Sequence, residues 1–239
     1  MPEPFLSIVV PAYNEARRIR DTLERLCRFK ELKPYPIELM VVDDGSTDAT
    51  ADIVSEFSGV RLVRNDRNHG KGFTVRHGVL EARGEFVLFS DADLSTPIEE
   101  ADKLLSALQS SGAAAAVGSR ALNRKLIGIH QPWFRDRAGR FFNLLVRALT
   151  GLKLHDTQCG FKLFKRSSTQ RAFELMCVEG FGFDPELLLL IERGGGRVVE
   201  VPVRWNDSPA TKVRFLRDAT QMILDLIAIR WRGFIGKYQ

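Results

Sequence analysis

Phe86-Val87-Leu88-Phe89-Ser90-Asp91-Ala92-Asp93 is the stretch on which the reading of this chain turns. A short continuous apolar run that stops at charged residues reads as a strand buried on both faces. The same pattern recurs on either side of it. Residues 6–10, 37–42, 60–63 and 113–117 are further apolar runs. Between them, Ile19, Leu23 and Leu26, then Ile53, Val54 and Phe57, then Val75, Val79 and Ala82, then Ile98, Ala101, Leu105 and Leu108 fall on single helical faces. Ser46 or Thr47 suits the N-cap of the helix after the second strand. Buried strands alternating with amphipathic helices specify an α/β fold with a mainly parallel sheet flanked by helices.

The second half changes character. A basic, aromatic-rich helix over residues 133–149 leads to a strand at 160–164, helices near 168–176 and 185–193, a strand at 198–203 and an amphipathic helix over 213–234. No proline- or serine-rich linker and no internal repeat divides the 239 residues, so a single Rossmann-like domain is expected. Within it, 1–120 forms one half and 121–239 the other. The hydrophobic share of 44% and charged share of 27% belong to an ordinary globular chain. Three scattered cysteines (Cys27, Cys159, Cys177) make neither a disulfide framework nor a zinc site and suit a reducing compartment. The start shows no secretion signal, and the longest apolar stretch, 222–229, is interrupted by Asp225, so no membrane span is expected.

The net charge of +5 is concentrated. Arg120, Arg124, Lys125, Arg135, Arg137, Arg140 and Arg147 face one acid, Asp136, in the same segment. Such a cluster attracts anions, whether phosphates, nucleic acid or lipid headgroups, or it forms a solvated helix face.

Open parallel sheets bind ligands outside the carboxyl ends of their strands. Four polar clusters fall there: Pro11-Ala12-Tyr13-Asn14-Glu15, Asp43-Asp44-Gly45-Ser46, Gly70-Lys71-Gly72 and Asp91-Ala92-Asp93. The first turn lacks G-x-G-x-x-G, and no G-x-x-x-x-G-K-[ST] occurs, which counts against a dinucleotide-binding dehydrogenase and a P-loop enzyme. Two carboxylates one residue apart repel each other unless a cation lies between them. Mg²⁺ or Mn²⁺ takes one or two such oxygens together with the phosphates of a substrate. The plainer alternative is that Asp93 caps a helix and Asp91 is solvated. Asp43 or Asp44 could accept from a base or ribose or simply close a turn, Tyr13 could lie against a base, and Glu15 could accept from base or ribose. Lys71 between two glycines could sit beside phosphate.

These four clusters together resemble the family 2 glycosyltransferases with the GT-A fold. Gly118-Ser119-Arg120, residues 156–162 (Asp-Thr-Gln-Cys-Gly-Phe-Lys), Phe183-Asp184-Pro185-Glu186 and Val201-Pro202-Val203-Arg204-Trp205 with Lys212 downstream are similar to the polyprenyl- and dolichyl-phosphate sugar synthases, more to the glucosyl than the mannosyl type. The resemblance implies that Pro11, Tyr13, Glu15 and Asp43 hold a nucleoside, and that Asp91 and Asp93 hold Mg²⁺ or Mn²⁺ and serve catalysis. It implies that Lys71 and Lys212 lie at the diphosphate of a nucleoside-diphosphate sugar, and that Arg120 and Arg137 bind the phosphate of a polyprenyl phosphate acceptor. An ionised phosphate attacks without a base, since its second pKa is about 6, and needs arginine to orient it. If a base is used, Asp184 and Glu186 are the candidates, both also suited to a helix start.

Leu126, Ile127, Ile129, Trp133, Phe134, Phe141 and Phe142 interleave with the basic residues, and Leu216, Ile223, Ile227 and Phe234 share one side of the last helix. Both suit peripheral contact with the inner, cytoplasmic face of a membrane, and the last helix suits a homodimer equally well. The expected activity is therefore inverting hexosyl transfer, glucosyl first and GDP-mannose-dependent second. Transfer to a soluble hydroxyl acceptor is the rival enzyme, and a non-catalytic nucleotide- or nucleic-acid-binding module the rival class. On this reading nucleic acid is not a partner.

Overall fold

The computed structural model describes residues 3–208 and 215–238. In chain order the elements are β1 (Leu6–Ala12), α1 (Ile19–Glu31), β2 (Ile37–Asp43), α2 (Thr50–Ser55), β3 (Val60–Arg64), α3 (Lys71–Glu81), β4 (Phe86–Ser90), α4 (Ala101–Ser111), β5 (Ala115–Ser119), β6 (Ile127–Ile129), α5 (Trp133–Thr150), β7 (Phe161–Lys165), α6 (Arg166–Leu175), α7 (Phe183–Arg193), β8 (Val198–Pro202), β9 (Trp205–Asn206) and α8 (Phe215–Phe234). Seven strands form one sheet in the order β3-β2-β1-β4-β7-β5-β8, and β6 and β9 form a separate parallel pair. Every pairing in the large sheet is parallel except those of β7, which runs antiparallel between β4 and β5.

The apolar runs explain the two-sided core. Successive residues of a strand point to opposite faces. In β4, Val87 and Phe89 join Val9, Met40 and Val42 beneath α3, α5, α6 and α7, while Phe86 and Leu88 join Ile8, Val10, Leu39 and Val41 against α1 and α4. Every one of these strand residues is buried. The wide core also holds charge: Lys162 in β7 and Asp184 in α7 pair at 2.6 Å, and Lys162 has no exposed surface.

Ser46 and Thr47 do not cap α2, which starts at Thr50. Ser46 Oγ instead accepts from Asn14 N at 2.8 Å, and Asn14 Oδ1 accepts from Thr47 N at 2.8 Å, so these side chains tie the loops after β1 and β2 together. Asp48 Oδ1 takes the Thr50 N–H. The last helix is described from Phe215 onward, and its expected start at 213–214 lies outside the described residues. Among the described residues, no helix is long and apolar enough to cross a membrane.

Gly78 marks the closest approach of α3 to the sheet. A Cβ there would lie 2.5 Å from Val9 Cγ1 and 2.6 Å from Val42 Cγ2. Gly78→Ala is expected to lower stability by about 1–3 kcal/mol through overpacking, read as a lower urea midpoint at unchanged slope.

Candidate active site

The carboxyl ends of β1, β2 and β4 and the start of α3 meet at a cavity of about 700 Å³. A larger hollow of about 1140 Å³, lined by Ile37, Val60 and Arg61, lies at the amino end of β2 and β3, where parallel sheets do not gather catalytic loops. Pro11, Tyr13, Glu15, Lys71, Asp91 and Asp93 all line the first cavity. Asp43 does not line it: it is fully buried, accepting from Ser46 N at 3.1 Å and Arg64 Nε at 3.2 Å. Its neighbour Asp44 is at the cavity wall, where Asn65 Nδ2, His69 N and Gly70 N donate to it at 2.7, 3.0 and 2.9 Å. Asp44 thereby fixes the loop that delivers Lys71. Lys212 lies outside the described residues.

The acid pair is built with care at the backbone. Asp91 N donates to Gly160 O at 3.0 Å, and a Cβ on Gly160 would lie 1.9 Å from Asp91 Oδ2, so only glycine lets that carboxylate stand where it does. Asp93 Oδ1 accepts from Ser95 N at 2.9 Å. Leu94 between them has φ +46°, a left-handed conformation that costs a leucine about 1–2 kcal/mol. Lys71 Nζ reaches Asp91 Oδ1 at 2.8 Å. Burial and then the Asp91 charge push the Asp93 carboxyl above its ordinary value. Burial opposes the Lys71 ammonium, but Asp91, Asp184 and Asp93 outweigh it and hold its pKa above the usual lysine value.

Among the described ionisable residues on the cavity wall, five acids (Glu15, Asp44, Asp91, Asp93, Asp218) face three bases (Arg18, Lys71, Arg217), an excess of two negative charges. The described residues contain no cluster of three or more His, Cys, Asp or Glu placed to hold a metal. A divalent cation would rest on Asp91 and Asp93 and take further oxygens from a ligand, which is the usual habit of Mg²⁺. The hard oxygen donors and the raised Asp93 both fit such an ion.

A second cavity, of about 470 Å³, adjoins through Trp205 a small hollow that Asp91 and Gly160 also line. Arg120, Arg124, Arg140, Asp136, Asp156, Gln158, Trp133 and Trp205 line it. Arg120 grips Asp156 through Nε at 2.7 Å and Nη2 at 2.8 Å, and its guanidinium lies 5.4 Å from the Trp205 ring. Gln158 Nε2 is buried without an acceptor among the described residues. Arg137 is not on this wall; it is exposed and stacks 5.3 Å from Trp133. Helical phase explains the difference. Asp136, Gly139, Arg140 and Asn143 share the face of α5 that lines the cavity, whereas Arg137 shares a face with Trp133, Phe141 and Leu144.

Neither candidate base lines either cavity. Asp184 is held by Lys162, and Glu186 accepts from Cys177 N, Val178 N, Arg232 Nη1 and Tyr238 Oη. Glu186 is a structural hub, joining the chain's last residues to α7. Arg18, Phe181, Arg217 and Asp218 on the first wall, and His130 and His155 on the second, were not singled out from sequence, whereas Asp44, Arg140 and Trp205 stood there only beside Asp43, within the basic cluster and within a motif.

Residues 7–173 match the glycosyl transferase family 2. The chain belongs to that family. The dolichyl-phosphate beta-glucosyltransferase of Saccharomyces cerevisiae is 34% identical over 99% of this chain and 77% of its own length. Those of Drosophila melanogaster and Homo sapiens are 36% and 33% identical, each over 100% of this chain and 78% of their own length. Among solved structures, glucosyl-3-phosphoglycerate synthase from Mycobacterium tuberculosis, crystallised with Mn²⁺, UDP-glucose and phosphoglyceric acid, superposes with a TM-score of 0.68 at 20% identity. The superposition covers 95% of this chain and 80% of that one, a likeness of fold. The family's GT-A architecture is the one described above.

Arg120, partly exposed, pairs with the buried Asp156, its sole carboxylate partner within salt-bridge distance among the described residues. Burial works against the Asp156 carboxylate, but the Arg120 charge and hydrogen bonds overcome it and hold its pKa below the ordinary range. Asp156→Asn leaves a partly exposed guanidinium without its counter-charge and is expected to cost about 1–3 kcal/mol at neutral pH. A depressed acid contributes stability above its unfolded pKa and loses it as pH falls through the folded one. The gap between wild type and variant in denaturant titrations should therefore be full at pH 7 and shrink below about pH 4.

Proposed function

We propose that this chain transfers glucose from UDP-glucose to the phosphate of a dolichyl or other polyprenyl phosphate, with inversion at C1. The observation that carries the reading is two cavities of unlike charge joined by a small hollow that shares Asp91 with the first and Trp205 with the second, one acidic by two charges and the other lined by Arg120, Arg124 and Arg140. The first suits a nucleotide sugar that arrives with a divalent cation. Tyr13 and Pro11 offer a surface for the base, Glu15 an acceptor for its donors or for ribose, and Asp43 supports the strand end behind them. Asp91 and Asp93 would hold Mg²⁺ or Mn²⁺, with Lys71 toward the diphosphate. When bound, the cation draws charge from the departing diphosphate.

The second cavity suits the acceptor phosphate. Arginine's planar fork orients phosphate oxygens, and Arg120 is prepared for this by Asp156, which leaves its other N–H groups available. An acceptor oxygen forms the new bond to C1 as the bond from C1 to the diphosphate breaks, its electron pair leaving with UDP. No protein base is required, because the phosphate is already ionised. That agrees with the burial of Asp184 and Glu186 away from both walls.

The lipid tail has a path. Trp133 lines the acceptor cavity and also begins the exposed apolar face of α5, continued by Phe134, Phe141 and Leu144. On α8, which packs beside α5, Leu226 and Ile229 face the core while Ile223, Leu224, Ile227, Trp231 and Phe234 are exposed. Aromatic and aliphatic side chains flanked by arginines suit the headgroup boundary of a bilayer. Arg137, over Trp133, belongs to this rim, where it would meet the phosphate of an arriving lipid.

With UDP-[¹⁴C]glucose, Mn²⁺ and a short-chain polyprenyl phosphate, radiolabel should enter the organic phase, and EDTA should stop it. Asp93→Ala is expected to lower kcat/KM at least 100-fold, on the scale of losing an electrostatic stabiliser. Label appearing on a soluble sugar or from GDP-mannose, and none on the prenyl phosphate, would sink the assignment. Separately, vesicles of phosphatidylcholine with 30% anionic lipid should sediment the wild type, and Phe141→Ser/Trp231→Ser should remain in the supernatant.

A further inference from the structure

One charged side chain on the donor cavity comes from the far end of the sequence and belongs to none of the motifs. Arg217, in the first turn of α8, lines the same cavity as Phe181 and the acid pair. The other two described cations there are engaged: Lys71 reaches Asp91, and Arg18 Nε reaches Glu15, each at 2.8 Å. Arg217 forms no ion pair with any described residue. Its neighbour Asp218 shares the wall and, as an acid in the first helical turn, complements the helix dipole.

The position of Arg217 is set by packing farther along α8. A Cβ on Gly182 would lie 2.5 Å from Asp225 Oδ2, so α8 rests directly on the turn that carries Phe181 into the cavity. Gln221 Nε2 donates to Asp225 Oδ1 at 3.0 Å and stiffens that contact. Near its other end, Arg230 Nη1 donates to Leu149 O at 3.1 Å. Arg232 Nη1 and Tyr238 Oη both donate to the fully buried Glu186, at 3.4 and 2.5 Å. A helix held at these points presents its first turn at a fixed place on the cavity wall.

We propose that Arg217 is a donor-binding residue that contacts the diphosphate of the nucleotide sugar. The inference rests on the donor reading given above. Setting Arg217 aside, five acids against two bases leave the described wall negative by three, more than a divalent cation of charge two cancels. A diphosphate still needs a cation of its own, and of the three described bases Arg217 is the one whose charge is not spent on a carboxylate. A guanidinium binds phosphate oxygens through two parallel N–H bonds, which lysine cannot reproduce.

Calorimetric titration of the whole chain with UDP in Mn²⁺, and of uridine by displacement, tests this for the wild type, Arg217→Ala and Arg217→Lys. Loss of a charge-assisted contact should weaken UDP roughly tenfold or more in Arg217→Ala, leave uridine unchanged, and be recovered only in part by lysine. In the transfer assay the donor KM should rise while the acceptor KM stays. UDP affinity equal to wild type in Arg217→Ala overturns the assignment, and so does an equal loss for uridine and UDP, which would mark a structural role. The underlying donor reading fails separately, if the wild type itself does not bind UDP with Mn²⁺.

Discussion

Two carboxylates held close together in a half-buried place repel each other, and the rest of this molecule's active half is organised by that repulsion. Asp91 leaves a strand buried on both sides and Asp93 follows two residues later, with Leu94 in a left-handed turn. The Ser95 N–H on Asp93 Oδ1 relieves the conflict only in part. Lys71 neutralises part of it, and behind Lys71 the buried Lys162–Asp184 pair keeps a second layer of charge in balance. Asp93 remains pushed toward its neutral form. On the proposed reading a divalent cation would remove an existing penalty here as well as gaining its own bonds.

If the second cavity takes the acceptor as proposed, it meets a different problem, that of bringing one end of a long apolar molecule to a polar reaction. α5 does this by having three faces. Val146 with Phe142, Leu145 and Leu149 packs on the core, Asp136, Gly139, Arg140 and Asn143 line the cavity, and Trp133, Phe141 and Leu144 are turned outward. The cavity face and the apolar face share an edge at Trp133. On the proposed reading a headgroup and its tail would separate at that edge without either crossing an unsuitable surface.

Much of this was legible in the chain because buried strands write themselves as unbroken apolar runs, and the polar clusters that follow them must lie at one edge of a parallel sheet. The direction of β7 was not, since Phe161–Lys165 is an apolar strand whichever way it runs. Asp43 and Asp44 are adjacent letters, but strand alternation sends their carboxylates to different surroundings, and only the register tells which one meets the cavity. Arg137 and Arg140 look equivalent by charge and differ by helical phase, a signal that was present and could have been used. Glu186 resembles a helix-start acid, whereas its partners Arg232 and Tyr238 arrive from the last residues of the chain, which no local pattern announces. Arg217 reaches the wall for the same long-range reason.

β5 and β7 are neighbours running in opposite directions, so the excursion between them starts and finishes side by side. Everything from Arg120 to Gly160, including β6 and all of α5, hangs from that hairpin-like pair of stems. Segments attached in this way change length and content without altering strand order. The donor half could thus stay constant across descendants of one ancestor while the suspended part was rewritten, giving new acceptors to an old transferase. Gly160 is the limit of that freedom, because it is the stem residue that Asp91 leans on.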